Sequence, residues 1–212
     1  MTLLVTGSIG IDTVRTPFGY SEDCIGGSAV HFSMAASLFG AVRFVGVVGD
    51  DCPFDLADVF KERDVDLGGL EVRKGSKTFR WSGSYEGEMN EAKTDGVELN
   101  VLGEAPPSVP EAFEDSEYVF LANTAPGLQM QLLDQVRGQH FVAADTMNHW
   151  IVTAGDDLKA LLDRIDMLVL NDGEAKLLTG RRNLTTAAHA ILDMGCLLYT
   201  SDAADELDGV DL

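Results

Sequence analysis

The groups in this sequence whose types and spacing could do chemistry are carboxylates and glycines set at the ends of apolar runs. Asp12 lies just past Gly7-Ser8-Ile9-Gly10, which closes the apolar run Thr2 to Ser8. A carboxylate there can accept hydrogen bonds from the hydroxyls of a bound molecule, and a turn-capping aspartate is the plainer alternative. Gly26-Gly27 opens a helical stretch, where absent side chains let the backbone approach a ligand and the first helical N–H groups supply donors. A simple loop-to-helix turn would use the same pair. Phe44-Val45-Gly46-Val47-Val48 runs into Gly49-Asp50-Asp51, which sets further carboxylates at the mouth of a sheet. Asp145-Thr146-Met147-Asn148 and Asn171-Asp172-Gly173-Glu174 follow two more apolar runs. In the second, Asn at an N-cap with Glu three residues on is a near capping box, which needs no ligand. Asn171 and Glu174 also suit a hydrated Mg2+ beside phosphate, because magnesium keeps most of its waters and one or two protein groups suffice. The cap orients the glutamate, so the two roles are compatible. His31, one turn into the first helix, either touches a ligand or packs. Phe79-Arg80-Trp81 either covers a bound molecule or faces a partner subunit.

The elements that must position these residues alternate. Strands are expected at Thr2–Ser8, Val42–Val48, Tyr118–Leu121, His140–Ala144 and Met167–Leu170. Helices are expected at Gly27–Phe39, where Gly40 supplies the stop, at Pro53–Arg63, and near Gly127–Arg137, Asp156–Arg164 and Gly173–Thr179. Strand–helix alternation implies a parallel sheet covered on both faces. Lys77–Tyr85 and Val97–Leu102 instead alternate as exposed antiparallel strands around the polar segment Glu86–Gly96, which predicts a small β flap on an otherwise α/β domain.

Composition narrows the function. A net charge of −20 argues against a general nucleic-acid or anionic-membrane binder. It leaves room for a nucleotide site, since helix N-termini and a few local cations hold phosphate. No stretch approaches a membrane span, and Met1-Thr2-Leu3-Leu4-Val5 lacks the basic region of a signal peptide. Cys24, Cys52 and Cys196 are scattered and form no C-x-x-C pair, which fits a reducing cytoplasm. Gly7-x-x-Gly10 hints at a dinucleotide fold but lacks the full G-x-G-x-x-G, and no Walker A, zinc or G-x-S-x-G pattern occurs.

Taken in order, Gly7 to Asp12, Gly26-Gly27, Val47-Val48-Gly49-Asp50-Asp51, the β flap, Asp145-x-x-Asn148 and Asn171-x-x-Glu174 resemble the ribokinase-like (PfkB) carbohydrate kinases across residues 1–195. The resemblance implies a parallel sheet flanked by helices with a small β-sheet lid, its strands at about 17–25 and 77–102. It implies ATP- and Mg2+-dependent phosphoryl transfer to a hydroxymethyl group of a sugar or nucleoside. Asp12, Gly26, Gly27, His31 and Asn123 would then face the substrate, Asn171 and Glu174 the magnesium–phosphate side, and Phe79 and Trp81 the lid. The lid also offers a surface on which a second copy of the chain can pair. His31 stands where the family often has Asn. The family's Gly-Ala-Gly-Asp loop, which carries the catalytic base and anion-stabilising amides, has no counterpart after Asn171-x-x-Glu174. No catalytic residue is therefore assigned, and residues 1–195 are expected to be a partial kinase domain that is inactive alone. A non-catalytic binding module of the same fold and a Rossmann-type dinucleotide protein are the alternatives.

Residues 196–212 read differently. After the helix ending at Asp193-Met194-Gly195 a β-branched strand is due, yet the last seventeen residues carry five acids, no base and no strand alternation. Cys196 to Asp205 can be encoded by a transposon-type sequencing adapter. Val210-Asp211-Leu212 can be encoded in frame by the adapter's continuation after a variable index. The segment is thus expected to be a non-native tail, where the alternative is a frayed acidic terminus.

Overall fold

A computed structural model describes residues 2–87, 89 and 92–201. In chain order the elements are β1 (Leu3–Thr6), β2 (Gly10–Thr16), β3 (Gly19–Gly26), α1 (Ser28–Ala36), β4 (Val42–Gly49), α2 (Leu56–Val59), β5 (Val65–Arg73), β6 (Phe79–Tyr85) and β7 (Ala92–Glu98). They continue with β8 (Tyr118–Leu121), α3 (Pro126–Leu133), β9 (Phe141–Asp145), α4 (Asn148–Thr153), α5 (Gly155–Leu162), β10 (Met167–Leu170), α6 (Asp172–Thr179), α7 (Leu184–Leu192) and β11 (Leu198–Ser201).

Seven strands form one parallel sheet in the order β11-β10-β9-β8-β1-β4-β5. Successive side chains of a strand point to opposite faces, so a sheet covered on both sides needs apolar residues at every position. Its central strands supply them. Leu4, Val45, Leu121 and Leu168 join the core that contains Leu132, Leu158, Ala175 and Ile191 of α3, α5, α6 and α7. Their neighbours Val5, Phe44 and Phe120 join the opposite core, with Ala29 and Val30 of α1 and Leu56 of α2. On that side Phe32 of α1 stacks on Phe120 of β8, with ring centroids 3.6 Å apart. No helix among the described residues is long and apolar enough to cross a membrane.

A second sheet, in the order β3-β2-β6-β7, stands at the carboxyl edge of the first. It is the expected β flap, but its composition differs from the sequence reading. The lid begins at Gly10 with β2, which forms a hairpin with β3 and pairs in parallel with β6. The chain therefore leaves β1 for a lid strand and not for a helix, which removes the Rossmann alternative. The last lid strand lies at Ala92–Glu98, and Asn100–Gly103 is a 3-10 turn. Nearly every residue of β7 is exposed, so its backbone pairs without the apolar alternation by which a strand is recognised.

Other elements also depart from expectation, among them α4, which no periodic apolar run announces. β5 was hidden because Gly68-Gly69 interrupts its apolar pattern. The helix at Pro53–Arg63 shrinks to α2, which starts where Asp55 accepts from the Ala57 amide at 2.9 Å. Leu198–Ser201 forms β11 beside β10, although the sequence there shows no alternation. The remainder of the expected non-native tail, 202–212, lies outside the described residues.

Candidate functional site

The ends of β1, β4, β8, β9 and β10 meet at one edge of the parallel sheet, the edge at which open α/β sheets bind ligands. The chemistry-bearing residues gather there in two groups.

The first group is shaped by what glycine lacks. Gly10 pairs with Gly26 across the hairpin, and Asp12 pairs with Cys24 and with Trp81. Paired residues share a face, so Gly10, Asp12, Gly26, Phe79 and Trp81 all lie on one side of the lid. The Asp12 carboxylate leans back over Gly26, where a Cβ would stand only 1.9 Å from Oδ2. Oδ1 is buried and accepts no hydrogen bond among the described residues. Burial alone pushes this carboxyl up to about 6. A carboxylate short of donors in a half-buried setting is suited to the hydroxyls of a polyol.

Gly27 enters α1 at φ 102°, and a Cβ there would lie 2.3 Å from the Ser8 carbonyl oxygen. This close crossing lets Ser8 cap the helix: its Oγ accepts from the Ser28 amide at 2.9 Å and its carbonyl from the Ala29 amide at 3.2 Å. The expected patch of outward-facing helix donors is narrowed accordingly, because Ser8 already occupies two of them. His31 follows on the exposed side of α1.

Phe79 and Trp81 part ways. The Phe79 ring and Asp12 Oδ1 converge over Gly10, each 2.9 Å from where its Cβ would be. The Trp81 ring instead lies over Gly83, and its Nε1 donates to Thr94 of β7 at 3.1 Å. It is turned toward the outer lid strand. Asp50 and Asp51, expected at the mouth of the sheet, anchor the lid. Asp50 accepts from the Gly75 amide at 2.8 Å and Asp51 from the Thr78 amide at 2.6 Å. Arg80 links Asp51 to Asp23 of β3, at 3.6 and 3.0 Å. Burial works against the Asp51 anion, but the hydrogen bonds from Thr78 and the charge of Arg80 hold its carboxyl below the usual range.

Asn123, just past β8, is held at three points. Its carbonyl accepts from Ser28 Oγ at 3.4 Å, its Oδ1 from Trp150 Nε1 at 3.0 Å, and its Nδ2 donates to Met147 Sδ at 3.1 Å.

The second group is shaped by buried charge. The capping box is realised in full: Asn171 Oδ1 accepts from the Glu174 amide and Glu174 Oε2 from the Asn171 amide, both at 2.9 Å. It holds Glu174 at 8% exposure beside Asp145, at the end of the neighbouring strand. Burial raises the Asp145 carboxyl well above its ordinary value, and the Glu174 charge raises it further. Asp145 Oδ1 and Thr146 Oγ1 are buried without a partner among the described residues. Gln129 fastens the two strand ends, its Nε2 donating to the carbonyls of Leu121, Ala122 and Asp145 at 2.8, 3.3 and 3.2 Å. Two carboxyls with an orphaned oxygen fit one divalent cation, which would relieve the repulsion between them.

Ser8, Gln129, Met147 and Trp150 were not singled out from the sequence. Ser8 sits inside a quoted motif, but capping of a helix twenty residues away leaves no local mark. Trp150 lies on α4, a short helix without a periodic apolar face.

No family model matches the chain. A cytidine kinase from Thermococcus kodakarensis is 27% identical over 204 residues, covering 93% of this chain and 71% of the relative. Among solved structures, ribokinase from Cryptococcus neoformans var. grubii, in complex with ADP, matches with a TM-score of 0.72 at 18% identity. That match covers 95% of this chain and 73% of the other. The nucleoside kinase of Methanocaldococcus jannaschii matches at 0.69 and 15% identity, covering 94% and 70%. A nucleoside kinase of Burkholderia thailandensis in complex with inosine matches at 0.65 and 16% identity. This chain spans 66% of its length. The architecture, a parallel sheet flanked by helices with a small β lid, is the ribokinase-like fold.

Proposed function

We propose that this chain, whose relatives in sequence and fold are ribokinase/PfkB-family carbohydrate and nucleoside kinases, is the acceptor-binding part of a kinase that phosphorylates a hydroxymethyl group of a sugar or nucleoside with ATP. The observation that carries the reading is the Asp12 carboxylate. It is folded over Gly26 on the face of the β lid that it shares with Gly10 and Phe79, with a buried oxygen that accepts no hydrogen bond among the described residues. Hydroxyls of the acceptor supply the missing donors. Gly26 gives the space in which the carboxylate lies, Phe79 borders it, and Gly27 with Ser8 fixes the start of α1 beside it. His31 is exposed to a ligand from one turn further along.

Asp145 and Glu174 would hold the Mg2+ that accompanies ATP, with Asn171 keeping Glu174 in place through the capping box. When bound, the cation supplies positive charge beside the migrating phosphoryl group. Phosphoryl transfer rests on positioning and electrostatic stabilisation, and also needs a base for the acceptor hydroxyl and donors for the phosphoryl oxygens. The Gly-Ala-Gly-Asp loop that the family resemblance calls for is not in this sequence. We therefore assign residues 1–195 binding without transfer, and keep 196–212 as a non-native tail.

Calorimetric titration of the chain with cytidine, inosine and ribose, paired with an ADP-release assay on the same protein, tests the reading. Saturable binding of a nucleoside or sugar without turnover is expected. Heat traces no different from dilution for the whole panel would overturn it.

A further inference from the structure

We infer that Trp150 is a positioning residue for nucleoside or sugar binding: it fixes the side-chain amide of Asn123 so that Nδ2 is the end that meets the ligand. The inference rests on the proposed reading of the site as an acceptor pocket. Three contacts on one residue carry it. An indole N–H can only donate, so the Asn123 atom 3.0 Å from Trp150 Nε1 must be the carbonyl oxygen Oδ1. The amide orientation, usually ambiguous for asparagine, is thereby settled by chemistry. Nδ2 then points to Met147 Sδ at 3.1 Å, a weak acceptor that engages one of its two protons. The other proton is the donor that Asn123 can offer to an oxygen or ring nitrogen of the bound molecule.

The placement of Asn123 ties this donor to the rest of the site. Its carbonyl accepts from Ser28 Oγ, and Ser28 is the residue that follows Gly27. The Ser28 amide and hydroxyl both meet Ser8 Oγ, at 2.9 and 3.0 Å. One hydrogen-bonded chain therefore runs from the β1 end through the α1 start to the β8 end, and on to Met147 and Trp150. Met147 follows Asp145 and Thr146 directly, and Trp150 lies three residues further on in α4, so this segment connects the acceptor group to the buried carboxyls. Nothing else among the described residues hydrogen-bonds the Asn123 amide.

The test compares Trp150→Phe, Asn123→Ala, their double variant and Asn123→Asp, titrated with the tightest-binding member of the cytidine, inosine and ribose panel. Trp150→Phe keeps the aromatic packing and loses the donor. Asn123→Asp keeps an oxygen for Trp150 and loses the Nδ2 proton. Each single variant is expected to raise the dissociation constant about tenfold, as loss of one hydrogen bond does. The double variant is expected to bind no more weakly than Asn123→Ala. In the wild type, the Trp150 indole N–H resonance, distinguished from that of Trp81 by Trp81→Phe, should shift on ligand addition. This readout needs no substitution near Asn123. Wild-type affinity in Trp150→Phe, additive losses in the double variant, or an indole resonance blind to the ligand would each overturn the inference while leaving the acceptor pocket standing. A flat wild-type titration would instead remove the pocket, and the inference with it.

Discussion

The Asp12 group and the buried-carboxyl group lie at one edge of the same sheet, yet they are built by opposite means. Around Asp12 the chain works by omission. Gly26 and Gly27 leave room in which a carboxylate folds over backbone and a helix crosses Ser8 at contact distance. Around Asp145 and Glu174 it works by crowding, with two carboxyls packed together and one oxygen left without a donor. The first arrangement suits neutral hydroxyls, which satisfy a carboxylate without adding charge. The second suits a cation, because only positive charge offsets both burial and mutual repulsion. The two groups should therefore fail differently. Added volume should break the first, and altered charge should change the second.

The largest effect is expected at Gly27. An alanine there meets both a positive φ and the Ser8 carbonyl, so Gly27→Ala should lower unfolding stability by about 3 kcal/mol, read by urea denaturation. Stability equal to wild type would show that the α1 start does not depend on that crossing. Gly26→Ala should displace the Asp12 carboxylate and weaken nucleoside or sugar binding by about a hundredfold, as loss of a charged hydrogen-bonding group does. Calorimetry checks it, and unchanged affinity would mean that the ligand lies elsewhere.

The buried carboxyls predict a change of the other sign. A folded-state carboxyl raised above its unfolded value binds a proton more readily in the folded chain. Its contribution to stability is thus lost as pH rises above the ordinary Asp value of 3.8. Without divalent cation the chain should become less stable from about pH 4 upward. Asp145→Asn should gain about 1 kcal/mol at neutral pH by removing an acid whose ionisation is opposed first by burial and then by the Glu174 charge. The same substitution should abolish the stabilisation that millimolar Mg2+ confers on the wild type, followed by thermal melting. A melting temperature indifferent to Mg2+ in both proteins would leave Asp145 and Glu174 without a cation. The smallest effect is expected on the lid anchor. Arg80→Ala removes ion pairs that are largely open to solvent and should cost less than about 1 kcal/mol.

Much of this division was legible in the sequence, and the parts that were not share a cause. Apolar runs such as Tyr118–Leu121 and Met167–Leu170 mark the buried parallel strands residue for residue, because both their faces are apolar. Asn171 and Glu174 were readable as a cap and are one. β7 was misplaced because it is held by backbone pairing with little burial, and β2 was missed because Gly10-Ile11-Asp12-Thr13 carries one buried apolar side chain among polar ones, so neither leaves a periodic apolar signature. The same holds for Asp50 and Asp51. Their position at a strand end suggested ligand chemistry, whereas their partners, the amides of Gly75 and Thr78, lie across a turn that local sequence does not announce. Helix capping by Ser8, clamping by Gln129 and the Trp150–Asn123 contact are likewise long-range. Each joins segments that are far apart in sequence and brought together only by the fold.

The claim on which the rest depends is that hydroxyls of a nucleoside or sugar rest on Asp12. It is tested most directly by following the carbon-13 resonance of the Asp12 side-chain carboxyl through a pH titration, with and without saturating nucleoside. Without ligand the carboxyl should titrate near 6. With ligand, hydroxyl donors favour the anion, so the midpoint should fall, and affinity should rise with pH through about 6 and then level off. A midpoint that stays in place at saturation, in a chain shown by calorimetry to bind the nucleoside, would contradict the account.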